Sequence, residues 1–206
     1  MSTPKSADVV WHHATVTRER REHLNGHRGA VLWFTGLPSS GKSTIAHAVE
    51  EQLHQRGCRT IVLDGDNVRH GLCGDLGFTP EDREENVRRI GEMAKLFVEA
   101  GTIVLAAFVS PIHRDREKVR GIFQHGDFLE IHCHCPVDIC AERDPKDHYR
   151  KARAGELKNF TGVSAPYEEP AAAELRLETG AVPLEACVER VVSLLSARAV
   201  ITSENL

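Results

Sequence analysis

Apolar and polar positions alternate along the chain in blocks that predict strands and helices in turn. Short, continuous apolar runs rich in β-branched and aromatic residues are typical of strands buried in a covered parallel sheet. Such runs occur at 31–35, 60–64, 102–109 and 128–135, and a last, shorter candidate lies at 174–177. The segments between these runs favour helices. The alternation predicts an α/β fold with a doubly wound, mostly parallel five-stranded sheet flanked by helices.

The longest predicted helix begins at Thr79. Thr79 has the residue type of an N-cap, Pro80 suits the first helical position, and acids follow in the first turn. Its apolar stripe then recurs every three or four residues from Val87 to Phe97. Further helices are expected at 45–53, 113–124 and 183–195, and a short, solvated one is expected at 18–23.

A glycine-rich loop follows the first strand. The pattern G-x-x-x-x-G-K-[ST] runs from Gly36 to Ser43, and its place between a strand and a helix favours a phosphate-binding loop over a chance match. Backbone N–H groups and the helix N-terminus would cradle phosphate oxygens. Lys42 can reach the β- and γ-phosphates, and the Ser43 hydroxyl can hold Mg²⁺. The predicted ATP-binding residues are Gly36, Leu37, Pro38, Ser39, Ser40, Gly41, Lys42, Ser43 and Thr44.

Polar side chains cluster where the second strand ends, in the run Asp64-Gly65-Asp66-Asn67-Val68-Arg69. These residue types also make simple turns. Ligands of open α/β sheets bind beyond the carboxyl ends of the strands, which favours a binding site over a turn. Asp64, at the strand's end, can orient Mg²⁺ and its water.

Two polar residues, Arg83 and Asn86, lie on the apolar face of the helix that begins at Thr79. We expect this pair to face a crevice, and the alternative is a helix end that meets water. Ser110 ends the third strand and places a hydroxyl at the same edge of the sheet.

A basic segment with few apolar side chains contains Arg143, Lys146, Arg150, Lys151, Arg153 and Lys158. A solvated helix face would explain some of this charge. A mobile lid that closes over polyphosphate explains it better, because closure excludes water and strengthens each charge. Phe160, in the loop that follows, is a candidate platform for a nucleobase.

Composition narrows the functional classes. A length of 206 residues suits one domain, and a net charge of −4 does not suggest a protein that coats nucleic acid. No apolar stretch approaches the length of a membrane span. Six cysteines, too sparse for a secreted disulfide scaffold, favour reduced thiols in a cytoplasmic protein. The run His132-Cys133-His134-Cys135 favours a buried strand over a zinc site, because alternate side chains of a strand face opposite sides.

Missing signatures exclude some nucleotide-binding classes. The chain has no N/T-K-x-D segment for reading guanine and no serine-glycine-glycine signature of transporter ATPases. The residues alone therefore lead to a small-molecule kinase that uses ATP and Mg²⁺ and acts on an acceptor expected to be anionic.

Longer motifs resemble those of the adenylylsulfate kinase (APS kinase) family. They lie at 63–72, 75–78, 82–91, 151–156 and 158–162, and in the N-terminal segment at 11–27. The resemblance extends from about Trp11 to Leu195. It implies transfer of the ATP γ-phosphoryl group to the 3′-hydroxyl of adenosine 5′-phosphosulfate (APS). The products would be 3′-phosphoadenosine 5′-phosphosulfate (PAPS) and ADP, in sulfate assimilation.

The resemblance also implies roles for individual residues. It implies an APS site made by Asp66, Asn67, Arg69, Phe78, Arg83, Asn86, Val109, Ser110, Lys146, Asn159 and Phe160. Phe78 and Phe160 would sandwich the adenine, and Asp66 would act as base towards the 3′-hydroxyl while Asp64 lies nearer Mg²⁺. Arg143 would pack beside the base of ATP. Ser110 occupies the position assigned in this family as a phosphoserine, although a direct in-line transfer needs no covalent intermediate.

Four sites depart from the family pattern. Ser39 replaces a glycine, and Cys73 replaces an asparagine. Ile112-His113 stands where an aromatic residue or histidine followed by arginine is common, which puts one cationic contact near Ser110 in doubt. Asp147-His148 replaces Gly-Leu in the lid.

The expected organisation is an N-terminal arm at 1–28 anchored by Trp11, a kinase domain at 29–198 with a lid at about 143–162, and a C-terminal tail at 199–206. The resemblance implies a homodimer and leaves association with an ATP sulfurylase open. One alternative is a kinase of the same fold for a nucleoside monophosphate or sugar acid, which the acceptor motifs disfavour. Another is a catalytically silent module that binds APS or PAPS, which the intact Lys42 and Asp66 disfavour.

Overall fold

The computed structural model of the protein describes residues 8–10, 12 and 14–202. Its centre is a five-stranded sheet in the order β2-β3-β1-β4-β5, in which all neighbouring strands are parallel. The strands are β1 (Ala30–Thr35), β2 (Thr60–Asp64), β3 (Ile103–Ala107), β4 (Phe128–His134) and β5 (Leu175–Glu178). The predicted fold class is confirmed.

Helices connect these strands and cover both faces of the sheet. On one face, Phe34 of β1 packs in a cluster with Leu53 and Val191. On the other face, Trp33 packs in a cluster with Ile90. The helices are α1 (Arg18–Asn25), α2 (Lys42–Gln55), α3 (Pro80–Glu99), α4 (His113–Arg120), α5 (Val137–Arg143), α6 (His148–Arg153) and α7 (Leu184–Ala197), with a short 3-10 helix at Asn67–His70.

Element ends agree with the sequence where a local signal fixes them. The Thr79 hydroxyl accepts a hydrogen bond from the Asp82 N–H over 3.1 Å and caps α3, as predicted. Three predicted ends were too late, and one of them is the end of β4, which lies at His134 rather than at 135. β3 ends at Ala107 rather than at 109, and the backbone turns further on at Ser110, where φ is 37°. α4 ends at Arg120 rather than at 124, where a turn follows.

The segments that precede and follow the predicted domain at 29–198 both pack against it more tightly than expected. The helix at 18–25 is not simply solvated, because Arg18 donates to Asp127 over 2.9 Å and to the Gly29 carbonyl over 2.9 Å. Val200 lies fully buried in the core and its carbonyl accepts a hydrogen bond from the Arg28 N–H over 2.8 Å. Val200 lies in the segment predicted as a C-terminal tail, and this part of the segment packs in the core. Trp11, the predicted anchor of the arm, lies outside the described residues.

The six cysteines are free and buried. Cys133 of β4 packs in the cluster beneath α2 and α7, whereas Cys135 packs in a separate small cluster with Tyr149 and Phe160. In the described part of the chain, no three or more His, Cys, Asp or Glu side chains are grouped to hold a metal ion. Within the same residues, we find no helix with the length and apolar character to cross a membrane.

Candidate active site

The phosphate-binding loop joins β1 to α2. The side chain of Lys42, the first residue of α2, folds back over the loop. The Lys42 ammonium donates hydrogen bonds to the carbonyls of Gly36 and Leu37 over 3.1 and 2.7 Å. The side chain is buried, and the loss of water around the charged form lowers the pKa of Lys42 to about 8. Phosphate oxygens are stronger partners for this ammonium than the two carbonyls, so the loop is built to exchange them.

Two side chains from outside the loop hold its backbone. The Thr179 hydroxyl donates to the Ser40 carbonyl over 2.7 Å, and the Tyr149 hydroxyl donates to the Pro38 carbonyl over 2.9 Å. Thr179 follows β5, and Tyr149 lies in α6 within the predicted lid. The loop is thus fastened to the sheet on one side and to the lid on the other.

The backbone of the loop restricts which residues fit at two of its positions, Gly36 and Ser39. Gly36 has no room for a side chain, because a Cβ there would come within 2.5 Å of the Cys133 carbonyl oxygen. Ser39, which replaces a glycine, has a φ of 61°, in the region where glycine is relaxed and other residues are strained.

Ser43 and Asp64 meet at the foot of the loop. The Ser43 hydroxyl donates to one Asp64 carboxylate oxygen over 2.6 Å, and the other oxygen accepts the Asp66 N–H over 2.9 Å. Asp64 is buried at the carboxyl end of β2, as predicted. A hydroxyl and a carboxylate beside a phosphate site are the oxygen ligands that Mg²⁺ prefers, so these residues fit the ion.

Asp66 lies next to this pair with its carboxylate exposed. Lys146, from the connection between α5 and α6, forms an ion pair with the Asp66 carboxylate. The structure thus brings the candidate base and the predicted lid cation together across 80 residues of sequence. Asn67 is exposed one residue further on, where the 3-10 helix begins.

Two arginines organise the loop that carries Phe78. The Arg69 guanidinium lies 4.3 Å from the centroid of the Phe78 ring and donates to the Gly77 carbonyl over 3.0 Å. Arg83 donates to the carbonyls of Phe78 and Asn159 over 3.1 and 2.7 Å. Arg83 therefore joins the Phe78 loop to the loop that precedes Phe160.

The two phenylalanines of the predicted adenine sandwich have different environments. Phe78 is 57% exposed, whereas Phe160 is only 7% exposed and meets the Tyr149 ring edge-on at 4.9 Å. Phe160 is thus not the open platform that its loop position suggested, and the sandwich stays a prediction. Asn86 is buried on α3, where its amide lies against the Cys73 thiol and its Nδ2 has no oxygen or nitrogen partner within the described chain. A buried amide of this kind favours a ligand contact.

Ser110 is held tightly behind the site. Its hydroxyl oxygen accepts the Trp33 indole N–H over 3.1 Å, and its carbonyl accepts the Arg116 guanidinium over 2.7 Å. The neighbouring Val109 carbonyl accepts the Thr35 hydroxyl over 2.8 Å. Arg116 is 1% exposed and pairs with Glu130 over 2.7 Å. It places a cation behind Ser110, near the contact that the Ile112-His113 departure put in doubt.

The predicted lid contains α6 and is fastened at its base to the segment that follows β5. Arg143, at the end of α5, donates to the Thr179 carbonyl over 2.7 Å and so lies beside the phosphate-binding loop. Asp144 caps α6, because its carboxylate accepts the N–H groups of His148 and Tyr149 over 2.8 and 2.9 Å. Asp147, which replaces a glycine, has a φ of 57°. The other cations of the segment, Lys146, Arg150, Lys151, Arg153 and Lys158, are exposed.

Comparison with known proteins decides the family. A model of the adenylylsulphate kinase family matches residues 28–178. The chain belongs to this family. It is 55% identical over 197 residues to the adenylyl-sulfate kinase of Acaryochloris marina, with 96% of each chain covered. It is 60% identical to that of Thermodesulfovibrio yellowstonii over 173 residues, which are 84% of this chain and 86% of the relative.

A solved structure gives the same result. The APS kinase of Mycobacterium tuberculosis, in complex with AMPPNP and APS, superposes with a TM-score of 0.78 and is 43% identical. The match covers 82% of this chain and 98% of the other. The family resemblance read from the motifs is confirmed. The enzyme class is confirmed with it, because adenylyl-sulfate kinases are ATP-dependent phosphotransferases.

Sequence reasoning about the kinase missed four residues that hold the site in place. They are Trp33, Arg116, Tyr149 and Thr179. Trp33 was hidden in an apolar run and Arg116 in a helix of mixed charge. Tyr149 is an apolar ring within a basic segment, and that contrast was the available signal for a buried residue in the lid.

Proposed function

We propose that the protein transfers the γ-phosphoryl group of ATP to the 3′-hydroxyl of APS and so forms PAPS and ADP. The observation that carries the proposal is the hydrogen-bonded series Ser43–Asp64–Asp66. This series supports the proposal, because a hydroxyl and a carboxylate that fit Mg²⁺ adjoin the candidate base Asp66 at the end of β2. A phosphoryl transfer needs a metal ion that neutralises charge on the phosphates and a group that takes the proton of the attacking hydroxyl, and these residues can supply both.

The donor side is the phosphate-binding loop, Gly36 to Thr44. Its N–H groups and the N-terminus of α2 would bind the β- and γ-phosphates, and Lys42 would exchange its two carbonyl partners for phosphate oxygens. Arg143, fastened to the Thr179 carbonyl, would pack beside the base of ATP. Ser43 and Asp64 would hold Mg²⁺, which neutralises charge on the transferring group.

The acceptor side begins at Asp66. Its carboxylate would take the proton of the 3′-hydroxyl as the new P–O bond forms and the bond to ADP breaks. Lys146 forms an ion pair with this carboxylate, and its ammonium would also attract the anionic groups of the acceptor. The remaining acceptor contacts proposed are Asn67, Arg69, Phe78, Arg83, Asn86, Val109, Ser110, Asn159 and Phe160.

A direct transfer fits the surroundings of Ser110 better than a phosphoserine. The Ser110 oxygen accepts the Trp33 N–H, so its own proton is free to be donated to a ligand. Ser110 is also 3% exposed, and a phosphate on it would have to displace this packed surrounding. We assign Ser110 to acceptor binding.

We further propose that the protein is a homodimer. It would work in the cytoplasm and bind neither nucleic acid nor a membrane. Association of this homodimer with an ATP sulfurylase is a separate part of the hypothesis. Sedimentation velocity of the purified chain tests the homodimer, and a single monomeric species at micromolar concentration would exclude it. Addition of a purified ATP sulfurylase to the same experiment tests the second association.

The function is tested by ADP release from Mg·ATP with four acceptors compared: APS, AMP, shikimate and gluconate. We expect stimulation by APS alone and PAPS as the product. Stimulation by AMP, shikimate or gluconate instead would identify another kinase of the same fold. Tight binding of APS without turnover would identify a silent module.

A further inference from the structure

Tyr149 touches both halves of the site. It lies in α6, is 1% exposed, and is one of two tyrosines in the chain. Its hydroxyl donates to the Pro38 carbonyl of the phosphate-binding loop over 2.9 Å. A buried phenol of this kind finds a partner or loses stability, so the bond fixes the loop and the helix relative to each other.

The Tyr149 ring reaches the acceptor side. Its edge-to-face contact with Phe160 has a centroid distance of 4.9 Å and an interplanar angle of 84°. The carbonyl of Asn159, one residue before, accepts a hydrogen bond from Arg83 over 2.7 Å. Tyr149 thus stands between Pro38 on the ATP side and the Phe160 loop on the APS side.

The same residue fixes where the lid cation lies. Asp144 caps the helix by accepting the N–H of Tyr149 over 2.9 Å, and Lys146 lies in the short turn between Asp144 and α6. Lys146 meets Asp66 from this turn. A shift of α6 relative to the phosphate-binding loop would therefore move Lys146 relative to Asp66.

From these contacts we propose that Tyr149 is a positioning residue that couples the ATP-binding loop to the acceptor site through its hydroxyl. The inference rests on the proposed function. When phosphates order the loop, the Pro38–Tyr149 bond holds α6 in the position that presents Lys146 and Phe160 to APS. Nucleotide and acceptor should then tighten each other's binding, and the coupling should be equal in both directions. A residue that merely fills space would need only its ring.

The test removes the hydroxyl and keeps the ring. Calorimetry gives the Kd of APS with and without saturating AMPPNP, for the wild type and for Tyr149→Phe. We expect AMPPNP to lower the Kd of APS in the wild type, and the ratio of the two values to fall about five- to tenfold in the variant. The reverse titration, AMPPNP with and without APS, should give the same ratio. An unchanged ratio in a folded Tyr149→Phe variant overturns the proposal, as does a wild-type ratio of one.

Tyr167→Phe is the matched control. Tyr167 is the other tyrosine, and its hydroxyl bonds the Thr35 hydroxyl over 3.1 Å, so its partner lies in β1 and not in the phosphate-binding loop. We expect this variant to keep the wild-type ratio. An equal loss of coupling in both variants would show a general effect of removing a buried hydroxyl and would overturn the specific role.

A second measurement does not depend on the folding of Tyr149→Phe. In the Tyr167→Phe background Tyr149 is the only tyrosine, so 3-fluorotyrosine gives a single ¹⁹F resonance. We expect AMPPNP alone and APS alone each to shift it. A resonance that AMPPNP leaves in place overturns the coupling. The wild-type acceptor assay separates the two hypotheses, because a protein that ignores APS fails there, before Tyr149 is changed.

Discussion

The Ser43 hydroxyl and the Asp64 carboxylate are joined by a hydrogen bond of 2.6 Å at the junction of the phosphate-binding loop and β2. Ser43 is the second residue of α2, and Asp64 is the last of its strand, so each is carried by a regular element. Such a pair is rigid before any ion arrives. Rigid oxygen ligands lower the cost of binding a small ion with strict geometry, such as Mg²⁺.

Asp64→Asn should raise the Mg²⁺ requirement. The amide keeps the size of the carboxylate but removes the charge that orients Mg²⁺ and its water. We expect the free Mg²⁺ concentration for half-maximal turnover to rise about 10- to 100-fold, with partial recovery of rate at high Mg²⁺. Asp138→Asn changes an exposed carboxylate on α5 and should leave the curve in place. A wild-type Mg²⁺ curve for Asp64→Asn would remove Asp64 from the metal site.

Asp66→Asn should abolish most turnover and spare ATP binding. Loss of a general base costs about 10²- to 10⁴-fold in rate, and the amide cannot take the 3′-hydroxyl proton. AMPPNP affinity, measured by calorimetry, should stay within about threefold of the wild type, because Asp66 lies beyond the loop. Lys146→Met, which removes the partner of Asp66, should instead act mainly on the KM for APS. Wild-type turnover in Asp66→Asn would exclude it as the base.

The sequence predicted those parts of the site that neighbouring residues determine. The loop from Gly36 to Ser43 needs only a strand before it and a helix after it, and β2 has the predicted bounds of Thr60 and Asp64. Thr79 caps α3 with a hydrogen bond to a residue three positions on. Periodicity and capping are local properties, so single-sequence reasoning detects them.

The residues that the sequence did not reveal depend on partners far away in the chain. Arg116 lies in a helix of mixed charge, and nothing local distinguishes it from Arg114. It is buried because Glu130, 14 residues away, is buried opposite it in β4. Arg18 docks the arm through Asp127, which is 109 residues away. Which polar residue finds a buried partner is a property of the tertiary fold, and periodicity does not contain it.

Ser110→Ala should retain turnover within about tenfold of the wild type if transfer is direct. The change leaves the Trp33 indole N–H without its partner and removes one contact to the acceptor. A loss of one hydrogen bond raises the KM for APS by about three- to tenfold. Acid-quenched protein incubated with γ-labelled ATP should carry no label. Complete loss of turnover with intact APS binding, together with label on wild-type Ser110, would establish the covalent route.

Lys42 should make ATP binding depend on pH. Burial lowers the pKa of its ammonium from 10.5 to about 8 in the free protein, and a bound polyphosphate favours the charged form and raises that pKa again. At a pH between the pKa of Lys42 in the free protein and its pKa in the complex, Lys42 is neutral before binding and charged after it. Binding therefore takes up a proton. The lowered pKa also makes the free energy of unfolding rise with pH between about 8 and 10.5, because in this range the unfolded chain binds a proton that the folded protein does not.

The proton uptake is measurable with AMPPNP in buffers of different ionisation enthalpy. We expect uptake to approach one proton per nucleotide at pH 9 and this group to contribute little at pH 7, where Lys42 is charged before and after binding. Lys42→Met should abolish the uptake at pH 9. Zero uptake by the wild type at that pH would contradict the assignment.

Asp147 has a φ of 57°, in the left-handed region that favours glycine. A side chain costs about 1 kcal/mol in this backbone region, and glycine avoids the clash. Asp147→Gly should therefore be more stable than Asp147→Ala by about 1 kcal/mol in urea denaturation. The ion pair of Asp147 with Arg150 is exposed and contributes little to the comparison, since both variants lose it. Ala154→Gly, at a φ of −77°, should have the opposite sign and destabilise the protein. Equal stability of the two Asp147 variants would show that the lid does not impose this backbone conformation in solution.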